Sequence, residues 1–599
     1  MRYKIYNVLK AAFVLMIAVA LLLPASATVF HSEIQSTSDT LEKGTILSTV
    51  IYVDDDNTGG PWNGSLMFPY QHIQDGIDAA ENGDEVYVYN GTYVENIVIF
   101  KSIILSGENK EITTIDCAGA CSVVSITAND VVLSGFTITN SGSASNHAGV
   151  SVNAQQSIIT KNNIIENKIG IRAIEPNNQI YLNNFMDNDL NAYDEENNSW
   201  DDGNAGNFWD DYKGIDENED GRGDTAYDIV DNVTRDSYPL MHWYGSIKNL
   251  DEEKIFLTIQ DAIDDSDTYA GDTIFVQSDI YYEHLIIDKP INVTGENNKD
   301  TIIDGRKLGS VVCIAIGEKN PNAVCFSGFT IQNSGTDTTD AGIEISSDGN
   351  TISHNIITNN YHGICFKGSS ENNEISYNTI RDNNWNGIYL QSECALNKGN
   401  IIFENSIENN NYAGIGIEGS SYNFIYHNDF IGNLLNAYDD SNNIWDDGYP
   451  SGGNYWDDYT GSDTNGDGIG DIPYEIENGI NKDQYPIMEP MTGLYVKIIS
   501  PQNGLYFRNM RVLPFIFRQN TLIFGAVDIQ VEAYAQSGIE KIEFYIDANA
   551  SPDGTVSEPP YRWTWRGGSL IQSRHSVLVV AYDTSGNFKT DSISVRKFF

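Results

Sequence analysis

At 599 residues the chain is longer than one hydrophobic core organises, and a composition that is 40% hydrophobic excludes a disordered chain. Its 84 acidic residues against 34 basic ones give a formal charge of -50, which repels phosphate backbones and anionic lipid headgroups and so excludes nucleic acid as a partner. The same acidity suits an extracellular surface, or a divalent cation held by clustered oxygen ligands.

In chain order, Arg2 and Lys4 through Lys10 make a basic start, Ala11 to Leu23 an apolar run, and Ala25-Ser26-Ala27 a small-residue exit. That pattern predicts a secretory signal over residues 1–27 and a linker over 28–48. The apolar run is shorter than the roughly 20 residues a membrane span needs, and Pro24 ends it. The expectation is a secreted, cell-surface location with no membrane span after cleavage.

Internal repeats set the fold. The pattern Asn-x-(Ile/Phe)-x-x-Asn occurs from Asn162 and Asn183, and again from Asn355, Asn378, Asn405 and Asn428. Gly-Ile follows at Gly170-Ile171, Gly363-Ile364, Gly387-Ile388 and Gly414-Ile415. A period of roughly two dozen residues, with short apolar runs broken by Asn and Gly, is one coil of a solenoid. Stacked coils place Ile in a continuous core and Asn in columns whose amides bond along the stack. Each stack is preceded by an amphipathic segment, Ile73 to Ile77 or Ile259 to Ile263, read as a short helix covering the open first coil. Ser134-Gly135-Phe136-Thr137-Ile138 returns as Ser327-Gly328-Phe329-Thr330-Ile331, which marks a duplication. The predicted fold is all-β: two tandem right-handed parallel β-helices over 49–245 and 246–490.

Both stacks end in an acidic, Trp-rich cap. Asn191-Ala192-Tyr193-Asp194 leads to Trp200-Asp201-Asp202 and Trp209-Asp210-Asp211; Asn436-Ala437-Tyr438-Asp439 leads to Trp445-Asp446-Asp447 and Trp456-Asp457-Asp458. Trp200, Trp209, Trp445 and Trp456 either plug the last coil or stack on sugar rings, and the open coil favours the plug. Between them lies a D-x-N-x-D-G-x-x-D loop whose alternate oxygens suit calcium: Asp463, Asn465, Asp467, Ile469 and Asp471. The first copy offers Asp216, Asn218, Asp220 and Asp224, with Glu219 and Arg222 interrupting the series. Tyr474 stands where an EF-hand carries its bidentate Glu, so the expectation is a single-loop calcium site, or else a metal-free Asx turn.

From Leu494 the repeats stop and alternating strands begin at 495–499, 529–533, 542–546 and 577–582, which predicts an immunoglobulin-like β-sandwich over 494–599. Six Cys offer the neighbouring pairs Cys117/Cys121, Cys313/Cys325 and Cys365/Cys394, with buried free thiols as the alternative. Sequons stand at Asn63, Asn90, Asn197, Asn232, Asn292 and Asn549.

The Asn-x-Ile repeats, with the Asn-Ala-Tyr-Asp, Trp-Asp-Asp, Asp-x-Asn-x-Asp-Gly and Tyr-Pro series, resemble the NosD-type β-helix family over residues 50–490. The resemblance implies a role in copper delivery, yet copper wants clustered His, Met or Cys. Met241-His242 is not matched by Met488-Glu489, and His354 and His427 share a column about 14 Å apart at strand spacing. β-Helices also carry pectate lyases, polygalacturonases, methylesterases and epimerases. Tyr361-His362-Gly363 is the nearest approach to a Gly-His-Gly motif, and Arg381 with Lys367 is the one loose pair for a lyase base. The expected function is a structural or adhesive cell-surface protein, glycan-binding and calcium-stabilised, with cell-envelope glycans or surface-layer proteins as partners and no copper. A uronan lyase or epimerase is the alternative reading, and copper handling the third.

Overall fold

The computed structural model describes residues 49–598, apart from 231–233, 317–322, 392–396, 491–493, 503, 508, 514–520, 536–537, 548–550, 567–573 and 585–587. The signal segment, the linker, Cys394 and the sequons at Asn232 and Asn549 lie outside the described residues.

Two parallel β-helices follow one another, each built from three sheets that the chain visits in turn. In the first, six strands from Val50–Val53 to Gln179–Tyr181 form the first sheet, and separate six- and five-stranded sheets complete the coil. The second has nine, eight and seven strands, and its sheets are not continuous with those of the first. It also opens differently, with Ile247–Asn249 pairing antiparallel to both Lys254–Phe256 and Thr273–Val276.

Register explains why the repeat is Ile-centred. Phe326, Ile352, Ile375, Ile402 and Ile425 stack in the first sheet, and Ile357, Ile380, Ile407, Phe430 and Trp456 in the second. Each is buried, so every coil adds apolar area to one continuous core. At the corners the Asn side chains form ladders. Asn405 accepts from the backbone N–H and amide of Asn378, both at 3.0 Å, and donates to Asn428 Oδ1 at 2.9 Å. Its amide also reaches the carbonyls of Ile375 and Phe403, at 2.8 and 3.0 Å. Parallel ladders run through Asn360, Asn383, Asn410 and Asn433, and through Asn350, Asn373, Asn400, Asn423 and Asn443. Wholly buried amides are tolerated because nearly every donor and acceptor is paired.

The helices Ile73–Ala79 and Ile259–Asp264 close the first coils as the sequence predicts. A carboxylate holds each N-terminus: Glu95 accepts from the N–H groups of Ile73 and Gln74, and Glu283 from those of Ile259 and Gln260. Burial pushes the Glu283 carboxyl up to about 7.

The C-terminal region is a sandwich of a three-stranded and a seven-stranded sheet around Ile529, Ile542, Phe544, Val577 and Val579. It packs on the flank of the second solenoid. Lys589 Nζ lies 3.3 Å from Glu404 Oε2 and 6.0 Å from the Tyr377 ring, and a cavity of about 390 Å³ separates Asn297, Asn298 and His354 from Pro559, Tyr561 and Arg562.

Candidate functional site

The cap tryptophans are core. Trp200, Trp209, Trp445 and Trp456 are at most 1% exposed, so a sugar reaches none of them. They extend the Ile column through the end of the coil: Phe185, Trp209 and Tyr227 stack at 4.3 Å intervals, and Phe430, Trp456 and Tyr474 at 4.3 and 4.1 Å. Each indole N–H finds a buried carboxylate at 2.9 Å, with Trp200 on Asp194, Trp209 on Asp236, Trp445 on Asp439 and Trp456 on Asp483. Burial pushes Asp236 and Asp483 up to about 7, against the pull of backbone N–H donors.

Both D-x-N-x-D-G loops fold alike. Asp463 accepts from the N–H groups of Gly466, Asp467 and Gly468, Asp467 from Ile469, and Asp471 from Thr464. Asp216 accepts from Asp220 and Gly221, Asp220 from Arg222, and Asp224 from Glu217. In both loops the Asn amide donates to the second Asp, Asn465 to Asp467 at 2.9 Å and Asn218 to Asp220 at 3.0 Å. Among the described residues, no three His, Cys, Asp or Glu side chains gather as a metal-holding group.

The loops differ in what surrounds them. The second, including Asn465 and Asp467, stands in solvent. The first is pressed against the second solenoid, where a Cβ on Gly221 would lie 2.7 Å from the Leu257 carbonyl oxygen. Glu219 Oε1 lies 3.2 Å from His284 Nδ1, and His242 meets Asp279 at 2.8 Å nearby. The following residues fold back on the first solenoid. Lys110 Nζ donates to the Tyr244 carbonyl, and Asn184 exchanges two hydrogen bonds with the Tyr244 backbone. Burial pushes the Lys110 ammonium down to about 7. Glu219, which interrupts the calcium pattern in the sequence, is therefore a joint residue.

Two other expectations are corrected, and a third holds. Cys313 and Cys325 stand on different sheets, the third and the first, so they are not a neighbouring pair. Arg381 and Lys367 are not a pair either: Arg381 lies on the second sheet beside Asp382, whereas Lys367 follows the third sheet and binds Glu344 at 2.6 Å. As expected, His354 and His427 share one corner column three coils apart, with Tyr377 and Glu404 at the positions between them and His354 stacked on Tyr377.

The strongest concentration of unusual chemistry lies on the outward side of the third sheet of the second solenoid. Its outward column runs Cys313, Glu344, Cys365, Tyr389, Gly416 and Tyr438. Gly416 makes room for the Tyr438 ring, which lies across it and would have to shift for any Cβ, since one there would sit 2.5 Å from the ring. Glu418, exposed at the edge, accepts from the Tyr389 hydroxyl at 2.9 Å and the Tyr438 hydroxyl at 3.3 Å. Beside them Tyr361, Trp385 and Tyr412 stack across three coils, with Trp385 41% exposed. Beneath lie His362, stacked on Tyr389 at 4.8 Å and hydrogen-bonded to the Thr338 backbone, and Asn386, which is hydrogen-bonded to Tyr438. Burial pushes His362 down to about 4, so it is neutral. The same column in the first solenoid reads Ser125, Ser151, Arg172 and Tyr193, with Arg172 paired to Glu195.

Of this cluster the sequence marks Tyr361-His362 and Tyr438 within motifs, but not Trp385, Tyr389, Tyr412 or Glu418. The available signal is the position before Gly-Ile, where Ile169 and Ala413 give way to His362 and Asn386.

A family model described as periplasmic copper-binding protein (NosD) matches residues 71–214 and 266–461, together more than half of the chain, and one described as a bacterial Ig domain matches 495–579. No curated protein matches. Among solved structures, the fibronectin(III)-like modules of CbhA from Clostridium thermocellum share 19% identity at a TM-score of 0.14, over 20% of this chain and 56% of that one. The chain thus spans little more than half the length of that structure. The A-module of the mannuronan C-5 epimerase AlgE6 from Azotobacter vinelandii shares 12% identity at 0.21, over 65% and 97%. Pectin methylesterase from carrot shares 9% at 0.18, over 69% and 87%.

Proposed function

The chain belongs to the NosD β-helix family, and on that premise we propose that it is a secreted cell-surface protein whose second solenoid binds glycan along the outward third sheet. One observation carries this reading: a carboxylate, Glu418, bridged by two tyrosine hydroxyls beside the part-exposed Tyr361-Trp385-Tyr412 ladder. A part-exposed aromatic ring beside hydroxyl and carboxylate groups suits the mixed C–H and O–H surface of a sugar. Lys367, whose charge reaches His362, is paired with Glu344. An anionic sugar would meet Glu418 uncompensated, so the ligand class is neutral or amino sugars.

The lyase or epimerase reading is weaker, because Arg381 and Lys367 lie on separate sheets, each beside its own carboxylate. Copper handling has no clustered His or Cys to support it among the described residues. Calcium remains a proposal for the solvent-facing loop at Asp463, Asn465 and Asp467. There a cation would compete with the backbone N–H groups for the carboxylates and take further oxygens from the chain and from water.

A polysaccharide array with product readout tests the reading. Neutral or amino glycans are expected to bind without turnover, and to be lost with Trp385→Ala. Release of unsaturated uronates would replace binding by lyase activity, and an array without ligands would remove the proposal.

A further inference from the structure

The corner between the second and third sheets is built twice with the same backbone, but with different chemistry. In the first solenoid the chain runs Asp116-Cys117-Ala118-Gly119-Ala120-Cys121-Ser122, and in the second Asp304-Gly305-Arg306-Lys307-Leu308-Gly309-Ser310. The turns coincide. Asp116 Oδ1 accepts from the Ala118 N–H at 2.7 Å as Asp304 Oδ1 accepts from Arg306 at 2.9 Å. Ala118 and Gly119 have φ of 50° and 75°, Arg306 and Lys307 of 48° and 66°. Two positions four residues apart are thus both Cys in one copy and both Gly in the other.

The second turn is held from outside. His284 Nε2 meets the Leu308 carbonyl, and Arg306 lies over the Tyr282 ring at 4.6 Å. In the first copy Asn96 and Val94 stand at those positions. Asn96 reaches Ser122, and Val94, 67% exposed, holds nothing at the turn. There the two sulfurs face each other at 2.6 Å, inside van der Waals contact, with Cys117 buried.

We infer that Cys117 and Cys121 form a disulfide in the exported protein, closing the turn that His284 and Arg306 close in the second copy. The step is thiol–disulfide exchange. Each thiol loses its proton in turn, the first thiolate opens the S–S bond of a disulfide oxidant, and the second displaces that mixed disulfide. The Cys117–Cys121 bond forms, and the oxidant leaves as two thiols carrying the two electrons and two protons. The linkage is independent of the glycan reading.

The test is alkylation of the full-length secreted protein by iodoacetamide in denaturant, with and without prior reduction, followed by tryptic mapping. The peptide spanning 111–161 contains both residues and no other Cys. It is expected unalkylated and two hydrogens light without reductant, and doubly alkylated after reduction. Double alkylation without reductant, persisting after exposure to oxidised glutathione, would overturn the inference, as would either sulfur linked to another Cys. The double variant Cys117→Gly with Cys121→Gly, which copies the second turn, is expected to fold and to lose the reducible link.

Discussion

The two copies share a plan and have diverged in use. In the first, the cap loop around Asp216 to Asp224 is pressed onto the next solenoid, and the outward third sheet carries Ser125, Ser151, Arg172 and Tyr193. In the second, the matching loop stands free, and the same sheet face carries Tyr389, Glu418 and Tyr438. The comparison teaches that a duplicated solenoid separates tasks by its outward side chains and loops, while the inward Ile and Trp columns stay fixed. One copy supplies a joint, the other a surface with chemistry.

The largest expected effect tests what the copies have in common. Trp209→Ala and Trp456→Ala each remove a buried indole that ends a core column, and each should cost about 3–5 kcal/mol in denaturant unfolding. Equal losses support a shared plug; a small loss at either site breaks the symmetry. Next, Asn405→Ala removes a ladder amide with several buried partners and should destabilise the second solenoid by about 1–3 kcal/mol, leaving the melting of the first unchanged.

The caps should also share a pH response. Burial holds Asp236 and Asp483 up to about 7, above the unfolded value near 3.8, so the folded protein keeps protons that the unfolded chain releases. That stability is complete below about 3.8 and is lost as pH rises through about 7. The melting temperature should therefore fall between pH 5 and pH 8. The double variant Asp236→Asn with Asp483→Asn should flatten that slope, whereas an unchanged slope would assign it to the overall negative charge.

Smaller effects separate the loops. Calcium should raise the melting temperature and EDTA lower it, with Asp463→Ala abolishing the shift and Asp220→Ala leaving it; no response to either reagent removes calcium from the account. Glu219→Ala should cost no more than about 1 kcal/mol, yet broaden the small-angle scattering profile by loosening the joint.

Much of this was legible because it is periodic. Asn355, Asn378, Asn405 and Asn428 occupy one column, so their spacing announces the coil, and the Trp-Asp-Asp repeats announce the plug. The joint was not legible as such. Glu219 reads as an interruption of a ligand series until His284, 65 residues on, is placed beside it. The outward face was hidden for a related reason. Tyr389 and Glu418 come from different coils and obey no repeat, since outward positions are freed from the packing that makes inward ones periodic, and Tyr438 reads in the sequence only as part of the Asn-Ala-Tyr-Asp series.

The central claim, that glycan binds the second solenoid and not the first, is tested most directly by titrating neutral and amino oligosaccharides against wild type, Trp385→Ala, Glu418→Gln and Arg172→Ala. The account predicts saturable binding to wild type and Arg172→Ala, at least tenfold weaker for Glu418→Gln and lost for Trp385→Ala. Binding that survives Trp385→Ala but fails in Arg172→Ala would contradict it.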